Sequence, residues 1–266
     1  MIKSIFEDFD ATLRSKSAYI YFAAVVVLCI IANIAVVAFR SVYGTNEGTY
    51  AYNIMEYAAW SFIVPYLSCI FIAHMVFGKK YPRLGKHGRT KTYVSKLLSG
   101  ILLAFVYLVI TFVMLVITTS LFQMHDKSLS TEAIRTFCTK MFLAMPLFLA
   151  GMAFATMFLF CFKDKRKAYA GFFLLTLVIP RIILRLAKEP PGIQVFKFLR
   201  RYTISQCFTL IPYPSSPERS VPLIIGLGFI YTAVSTAVGI VVFNKKERTN
   251  HSKGQVVDDT DIGRLS

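Results

Sequence analysis

Six long apolar runs divide this chain, and polar, mostly basic stretches separate them. The runs are Tyr19 to Phe39, about Ala58 to Phe77, about Leu97 to Phe122, about Phe142 to Phe162, Ala168 to Pro180 with a continuation to 186, and Val221 to Phe243. About 20 apolar residues at ~1.5 Å each cross a hydrocarbon core of roughly 30 Å, so runs of this length predict transmembrane helices. Ahead of them, Ile2, Ile5, Phe6, Phe9 and Leu13 recur at helical spacing, with Glu7, Asp8, Asp10 and Arg14 among them. That pattern predicts an amphipathic helix in the membrane interface, or a helical lead-in to the first run. The expected fold is an all-α membrane protein with an interfacial helix over 1–18, a six-helix transmembrane domain over 19–243 and a polar, poorly ordered tail over 244–266.

Local signals refine this layout. Trp60, Tyr50, Tyr52 and Tyr57 gather at the start of the second run, as an interfacial aromatic belt would, and Pro65 predicts a kink in it. Pro146 stands near the start of the fourth run. Gly226, Gly228, Ser235, Thr236 and Gly239 give the sixth run the small residues that let helices approach closely. The fifth run is interrupted by Pro180, Arg181 and Arg185. The spread of Lys and Arg over the loops slightly favours five spans. Six is the expectation because Lys163 to Lys167 forms a tight basic turn suited to a helical hairpin, and Lys245, Lys246 and Arg248 directly follow the last run. Arg181 and Arg185, four apart, can snorkel to the outer interface.

Between the fifth and sixth runs, Lys188-Glu189-Pro190-Pro191-Gly192 signals a turn. Ile193, Phe196, Leu199 and Phe208 then alternate with Gln194, Lys197, Arg200 and Arg201, and Pro212, Pro214 and Pro217 end the pattern. This predicts a second amphipathic helix, now on the outer face, with Phe196, Lys197, Arg200 and Arg201 as its characteristic residues. It reads either as a seal on the outer end of the bundle or as a surface that touches anionic lipid or an acidic, amphipathic substrate.

Composition agrees with a bilayer as solvent: 56% of the 266 residues are hydrophobic and 17% are charged. The net charge of +16 would point to nucleic acid in a soluble protein. Here the cations cluster at the ends of apolar runs, the usual pattern beside anionic lipid, so nucleic acid is not an expected partner. The five cysteines form no CxxC pair, and a disulfide between Cys138 and Cys207 is geometrically open on this topology. The polar first seventeen residues and the length of the first run argue against a cleavable signal.

Several chemistries are missing. The sequence has no GxxxxGK[ST] phosphate loop, no HExxH and no GxSxG, and Asp and Glu lie outside the runs. No catalytic residue, bound cofactor or metal site is expected, and an intramembrane enzyme or ion-coupled carrier is disfavoured. His74 is the one titratable residue well inside a run. It reads as an interfacial histidine bonded to a neighbouring helix, or as a polar group lining an inward-facing cavity. Asn33, Ser68 and Thr111 carry the same two readings. The stretch Gly78 to Lys96 holds seven Lys or Arg and no acid. Pro82, Gly85 and Gly88 shape it, and Thr90 to Lys96 leads into the third run. A short helix there, set across the inner interface, would be a rigid knob for a partner to push.

In these features the chain resembles a half-size permease of the type-2 ABC exporter family, similar to exporters of peptide toxins and lantibiotics. The resemblance spans nearly the whole chain. It rests on the amphipathic start, the six-run layout, and the basic loop closing with Tyr93 and Ser95-Lys96-Leu97-Leu98. The outer amphipathic segment and the ending Val241 to Lys246 contribute as well. The chain departs from many members in having Gly78-Lys79-Lys80 where they carry an acid. The resemblance implies that two copies pair and that two copies of a separate ABC ATPase, which would bind ATP and magnesium, dock beneath them. A coupling helix in the 78–96 loop would contact each ATPase through Lys79, Lys80, Tyr81, Arg83, Leu84, Lys86, Arg89 and Tyr93. It implies a cell-membrane location with both termini cytoplasmic, and export of amphipathic peptides or other hydrophobic compounds. The alternative is a membrane-bound sensor or assembly subunit that docks a cytoplasmic partner without transport.

Overall fold

A computed structural model describes residues 2–43, 54, 58–59, 61–77, 86–122, 131–162, 164–188, 194–211 and 217–262, and every regular element among them is helical. The helices are α1 (Ile2–Leu13), α2 (Lys16–Tyr43), α3 (Ile63–Phe77), α4 (Lys86–Phe122), α5 (Thr131–Cys161), α6 (Lys165–Phe173), α7 (Ile179–Lys188), α8 (Gln194–Arg201), α9 (Ile204–Leu210) and α10 (Pro217–Ile262). A π-helical stretch, Leu174–Val178, joins α6 to α7.

Five described helical segments are long and apolar enough to cross a membrane: 16–38, 90–122, 131–161, 165–188 and 220–245. The sixth apolar helix, α3, has 15 residues, about 22 Å at 1.5 Å per residue and therefore shorter than a ~30 Å hydrocarbon core. The expected second span is thus visible as a shorter helix. Pro65 explains part of the difference. It is the third residue of α3 and follows a turn at Ser61–Phe62 that separates helical Ala58 and Ala59 from Ile63–Phe77, so the run is interrupted beside its proline, as expected.

Packing centres on α5. In its most apolar window 56% of residues are buried, against 17% for α2, which makes α5 the core helix and α2 a peripheral one. Small side chains put α5 there: Ala144, Ala150, Gly151, Ala153 and Ala155 are buried along it. It lies between α3 and α10. Gly228 of α10 sits so close to Pro146 that an added Cβ would meet the Pro146 carbonyl carbon at 2.6 Å. The expected small-residue contact of the sixth run is therefore made with the proline turn of the fourth. α2 leans on α4 and leaves Tyr19, Ile20, Val27, Leu28, Ile31 and Ile34 exposed.

The fifth run is continuously helical over 165–188, and Pro180 shapes it. In a regular α-helix its ring would crowd the Thr176 carbonyl. The chain widens instead: the Ile179 N–H reaches the Leu174 carbonyl, and the Thr176 hydroxyl donates to Phe172 O at 2.7 Å. Asp164 caps the start of α6 by accepting from Arg166 N at 2.9 Å. At the other end of the chain, the α10 backbone stays helical through Ile262, into the stretch expected to be a poorly ordered tail.

Candidate functional site

Two regions concentrate polar contacts. At the first, α1 docks on the beginning of α4. Lys96 donates to Asp8 Oδ1 at 2.6 Å and to the Val76 carbonyl of α3 at 3.4 Å. Ser95 donates to Ser4 Oγ at 3.3 Å, and Ser99 to the Ile5 carbonyl at 3.1 Å. Three helices therefore meet on one ammonium group. One turn earlier, Tyr93 is fully buried against Phe160 of α5 and Gly239 of α10. Gly239 is required by this approach, since an added Cβ would overlap the tyrosine ring. Phe77 and Phe243 close over the same Phe160 ring, and Asn244 donates to Thr90 Oγ1 at 3.3 Å.

α4 itself runs without a break from Lys86 to Phe122, 37 residues, or about 55 Å at 1.5 Å per residue, which exceeds a bilayer core by many turns. The expected short helix across the interface is not separate among the described residues: Lys86, Arg89 and Tyr93 all belong to this one rod. Lys79, Lys80, Tyr81, Arg83 and Leu84, together with Trp60, Tyr50, Tyr52 and Tyr57, lie outside the described residues.

The four intramembrane candidates separate into two groups. Ser68 and Thr111 line one cleft with Tyr21, Tyr107, Phe105 and Met152, between α2, α3, α4 and α5. Tyr21 donates to Ser68 Oγ and Ser68 to the Pro65 carbonyl, both at 2.7 Å, while Thr111 donates to the Tyr107 carbonyl at 2.7 Å. The hydroxyls are thus partnered within the protein. The cleft holds about 80 Å³, room for several waters. Asn33 and His74 lie elsewhere. Asn33 is buried at the α2–α4 contact and donates to the Cys29 carbonyl at 2.9 Å and to Thr118 Oγ1 at 3.1 Å. His74 Nδ1 pairs with the Tyr169 hydroxyl of α6.

The second polar region is the hairpin that follows the fifth run. The single amphipathic helix expected over Ile193 to Phe208 is two helices. Thr203 breaks it, with extended backbone and its hydroxyl accepting from Gln206 N at 3.2 Å, a helix start in mid-segment. α8 packs along α7. Its tip packs against the middle of α10. Tyr231 donates to the Tyr202 carbonyl at 2.7 Å, and Tyr231 is about 16 Å along α10 from Ser220 at helical rise. Phe208 of α9 stacks edge-on to Tyr66 at 5.3 Å and tilts on Phe148 at 5.9 Å, so α9 is wedged into the core. Of the expected residues, Lys197 and Arg201 are exposed, Phe196 and Arg200 are half-buried, and Arg200 Nε donates to Gln206 Oε1 at 3.2 Å. Cys207 is buried and free, as is half-buried Cys138, so no disulfide joins them. Burial pushes the Cys207 thiol up to about 12.

Among the described residues no group of three or more His, Cys, Asp or Glu could hold a metal ion. The class these observations define is an all-helical protein with the apolar helices of a multi-pass membrane protein. No family model matches the chain, and no curated protein matches it.

Proposed function

We infer that this chain is the transmembrane subunit of an ATP-driven exporter that moves amphipathic peptides or other hydrophobic compounds out of the cell. In this reading all six apolar runs cross the membrane and both termini lie on the cytoplasmic side. Two copies pair, and a separate ATPase, holding ATP and magnesium, grips the Gly78 to Lys96 stretch of each. The observation that carries the reading is the continuity of α4 from Lys86 through the clamp at Tyr93 and Lys96 into the bundle. A push on a rigid helix is delivered undiminished along its length. Here it would reach α1 and α3 through Lys96, and α5 and α10 through Tyr93. The 80 Å³ cleft is far too small for a peptide, so cargo would travel in a space that two copies form together or that opens with the push.

Charge reversal at Lys79, Lys80, Arg83 and Lys86 tests this. The reading expects ATP hydrolysis to continue while export stops. Export that survives all four reversals would leave the loop without its coupling role. A subunit that only senses or assembles would show no nucleotide-dependent movement of cargo in either form.

A further inference from the structure

The cleft between α2, α3, α4 and α5 lies at bilayer depth. Its α5 wall, Met145, Phe148, Leu149 and Met152, is the middle of the 131–161 span. Its α4 wall runs from Ile101 to Thr111, about 15 Å at helical rise. A volume of about 80 Å³ drawn out over that length is a narrow slot. One end of the slot is close to α1, because Ile101 is two residues beyond Ser99, whose hydroxyl donates to the Ile5 carbonyl. Phe105 lines the slot and is 47% exposed, so the slot reaches the lipid-facing surface of the bundle.

The polar side chains in the lining already donate within the protein. Tyr21 donates to Ser68, Ser68 to the Pro65 carbonyl and Thr111 to the Tyr107 carbonyl. Tyr107 donates to the Ala18 carbonyl at 3.1 Å, and Cys69 Sγ to the Pro65 carbonyl at 3.6 Å. A water needs several polar partners, and these side chains offer it no unused donor. The rest of the wall is apolar, with Ile72, Ala104 and Leu108 facing Met145 and Met152. The two methionines are unbranched and adjust to the shape of a guest. An empty slot forfeits dispersion contacts along its lining. At the middle of a span the material at hand to restore them is hydrocarbon. Lipid tails are as apolar as this wall, so the gain from filling it is contact and fit, not removal from water. A narrow slot suits an unbranched chain and excludes rings and headgroups.

We propose that this cleft is a binding slot for one unbranched acyl chain, supplied by a phospholipid of the leaflet on the α1 side. The chain enters beside Phe105 and lies between Ala104 and Leu108 of α4 and Met145 and Met152 of α5. It completes the packing of four helices that leave a gap among themselves. The proposal depends only on the protein being embedded in a bilayer and is independent of the export reading.

The test uses the full-length protein in phosphatidylcholine vesicles. A rising fraction of the lipid carries a photoreactive diazirine near the end of one acyl chain, and adducts are mapped by peptide mass spectrometry after illumination. Val27, Leu28 and Ile31, exposed on α2, report ordinary contact with the bilayer. Adducts there should grow in proportion to the probe. Adducts on Phe105, Met145 and Met152 should instead saturate, at a probe fraction lower on the order of tenfold, the scale set by leaving a cavity of this size unfilled. Ala104→Phe, which fills the slot from the α4 wall, should remove the cleft adducts and leave those on α2. Leu149→Trp, from the α5 wall, should do the same. Cleft adducts that rise in parallel with those on α2 overturn the proposal, since they would show ordinary bilayer contact without a site. Absence of cleft adducts overturns it as well. So does their persistence in a filled variant that keeps its helix content and its α2 adducts. If neither variant folds, the comparison of saturation in the unsubstituted protein decides alone.

Discussion

Lys96 Nζ stands 2.6 Å from Asp8 Oδ1, and the two side chains retain only 8% and 16% of their exposure. A helix read from sequence as floating in the interface is thus tied by a sheltered ion pair to the base of α4. Removing one partner of such a pair leaves an uncompensated charge, whereas removing both does not.

Asp8→Asn should therefore destabilise the protein by about 3 kcal/mol, the scale for breaking a buried pair. Asp8→Asn combined with Lys96→Met should cost less than the single change. Thermal unfolding in detergent, followed by far-UV circular dichroism, measures both. Equal losses for the single and the double variant would mean that the pair contributes no coupling.

Tyr93 and Gly239 give a contrasting pair. The Tyr93 hydroxyl is buried without a hydrogen-bond partner, so Tyr93→Phe should be neutral or stabilise by up to ~1 kcal/mol. Gly239→Val drives a side chain into the Tyr93 ring and should cost roughly 1–3 kcal/mol or more. The same unfolding assay distinguishes them. A tolerated valine would show that α4 and α10 are farther apart than described.

Asn33 should act through Thr118. A double-mutant cycle with Asn33→Ala and Thr118→Ala should return a coupling of about 0.6–1.7 kcal/mol, the range for hydrogen bonds between membrane helices. Zero coupling would free Asn33 for a different role.

Cys207 should resist thiol reagents in the folded protein. With its thiol pushed up to about 12 by burial, almost none is thiolate at pH 8. Cys138 and Cys161, which are half-buried, should react before it. Mass spectrometry after brief labelling with a small membrane-permeant maleimide reads the order. Rapid modification of Cys207 would mean that α9 leaves its seat against Tyr66 and Phe148.

The residues show where sequence reasoning reaches and where it stops. α1 ends at Leu13 as its periodicity foretells, because Ile2, Ile5, Phe9 and Leu13 recur on one helical face. The long apolar runs are equally legible, since each carries its own signal. Partnerships are not. Asp8 has the look of a solvent-facing charge until Lys96, 88 positions away, is placed beside it. Ser68 and Thr111 share a cleft while Asn33 and His74 each bond another helix, and nothing within any one run separates these cases. Pro65 and Pro180 announce a disturbance without saying which. One stands just after a break in its run and the other follows a π-helical stretch. Thr203 was legible in principle: a threonine three residues before Gln206 is a helix-start pattern, overridden in the reading by the amphipathic alternation around it.

Cysteines introduced singly at Lys165 and Pro214 test the fifth crossing. Impermeant labelling should reach them from opposite sides of the membrane. Labelling from the same side would remove the fifth span and the shared cytoplasmic placement of the termini.

The export reading meets its most direct test in purification from native membranes in mild detergent, followed by an ATP hydrolysis assay on the isolated complex. The account predicts that an ATP-hydrolysing chain comes with this one in equal number, and that reversing the charges of Lys79, Lys80, Arg83 and Lys86 leaves hydrolysis running while cargo no longer moves. Isolation of the chain with no nucleotide-hydrolysing companion, or movement of cargo by the chain alone, would contradict it.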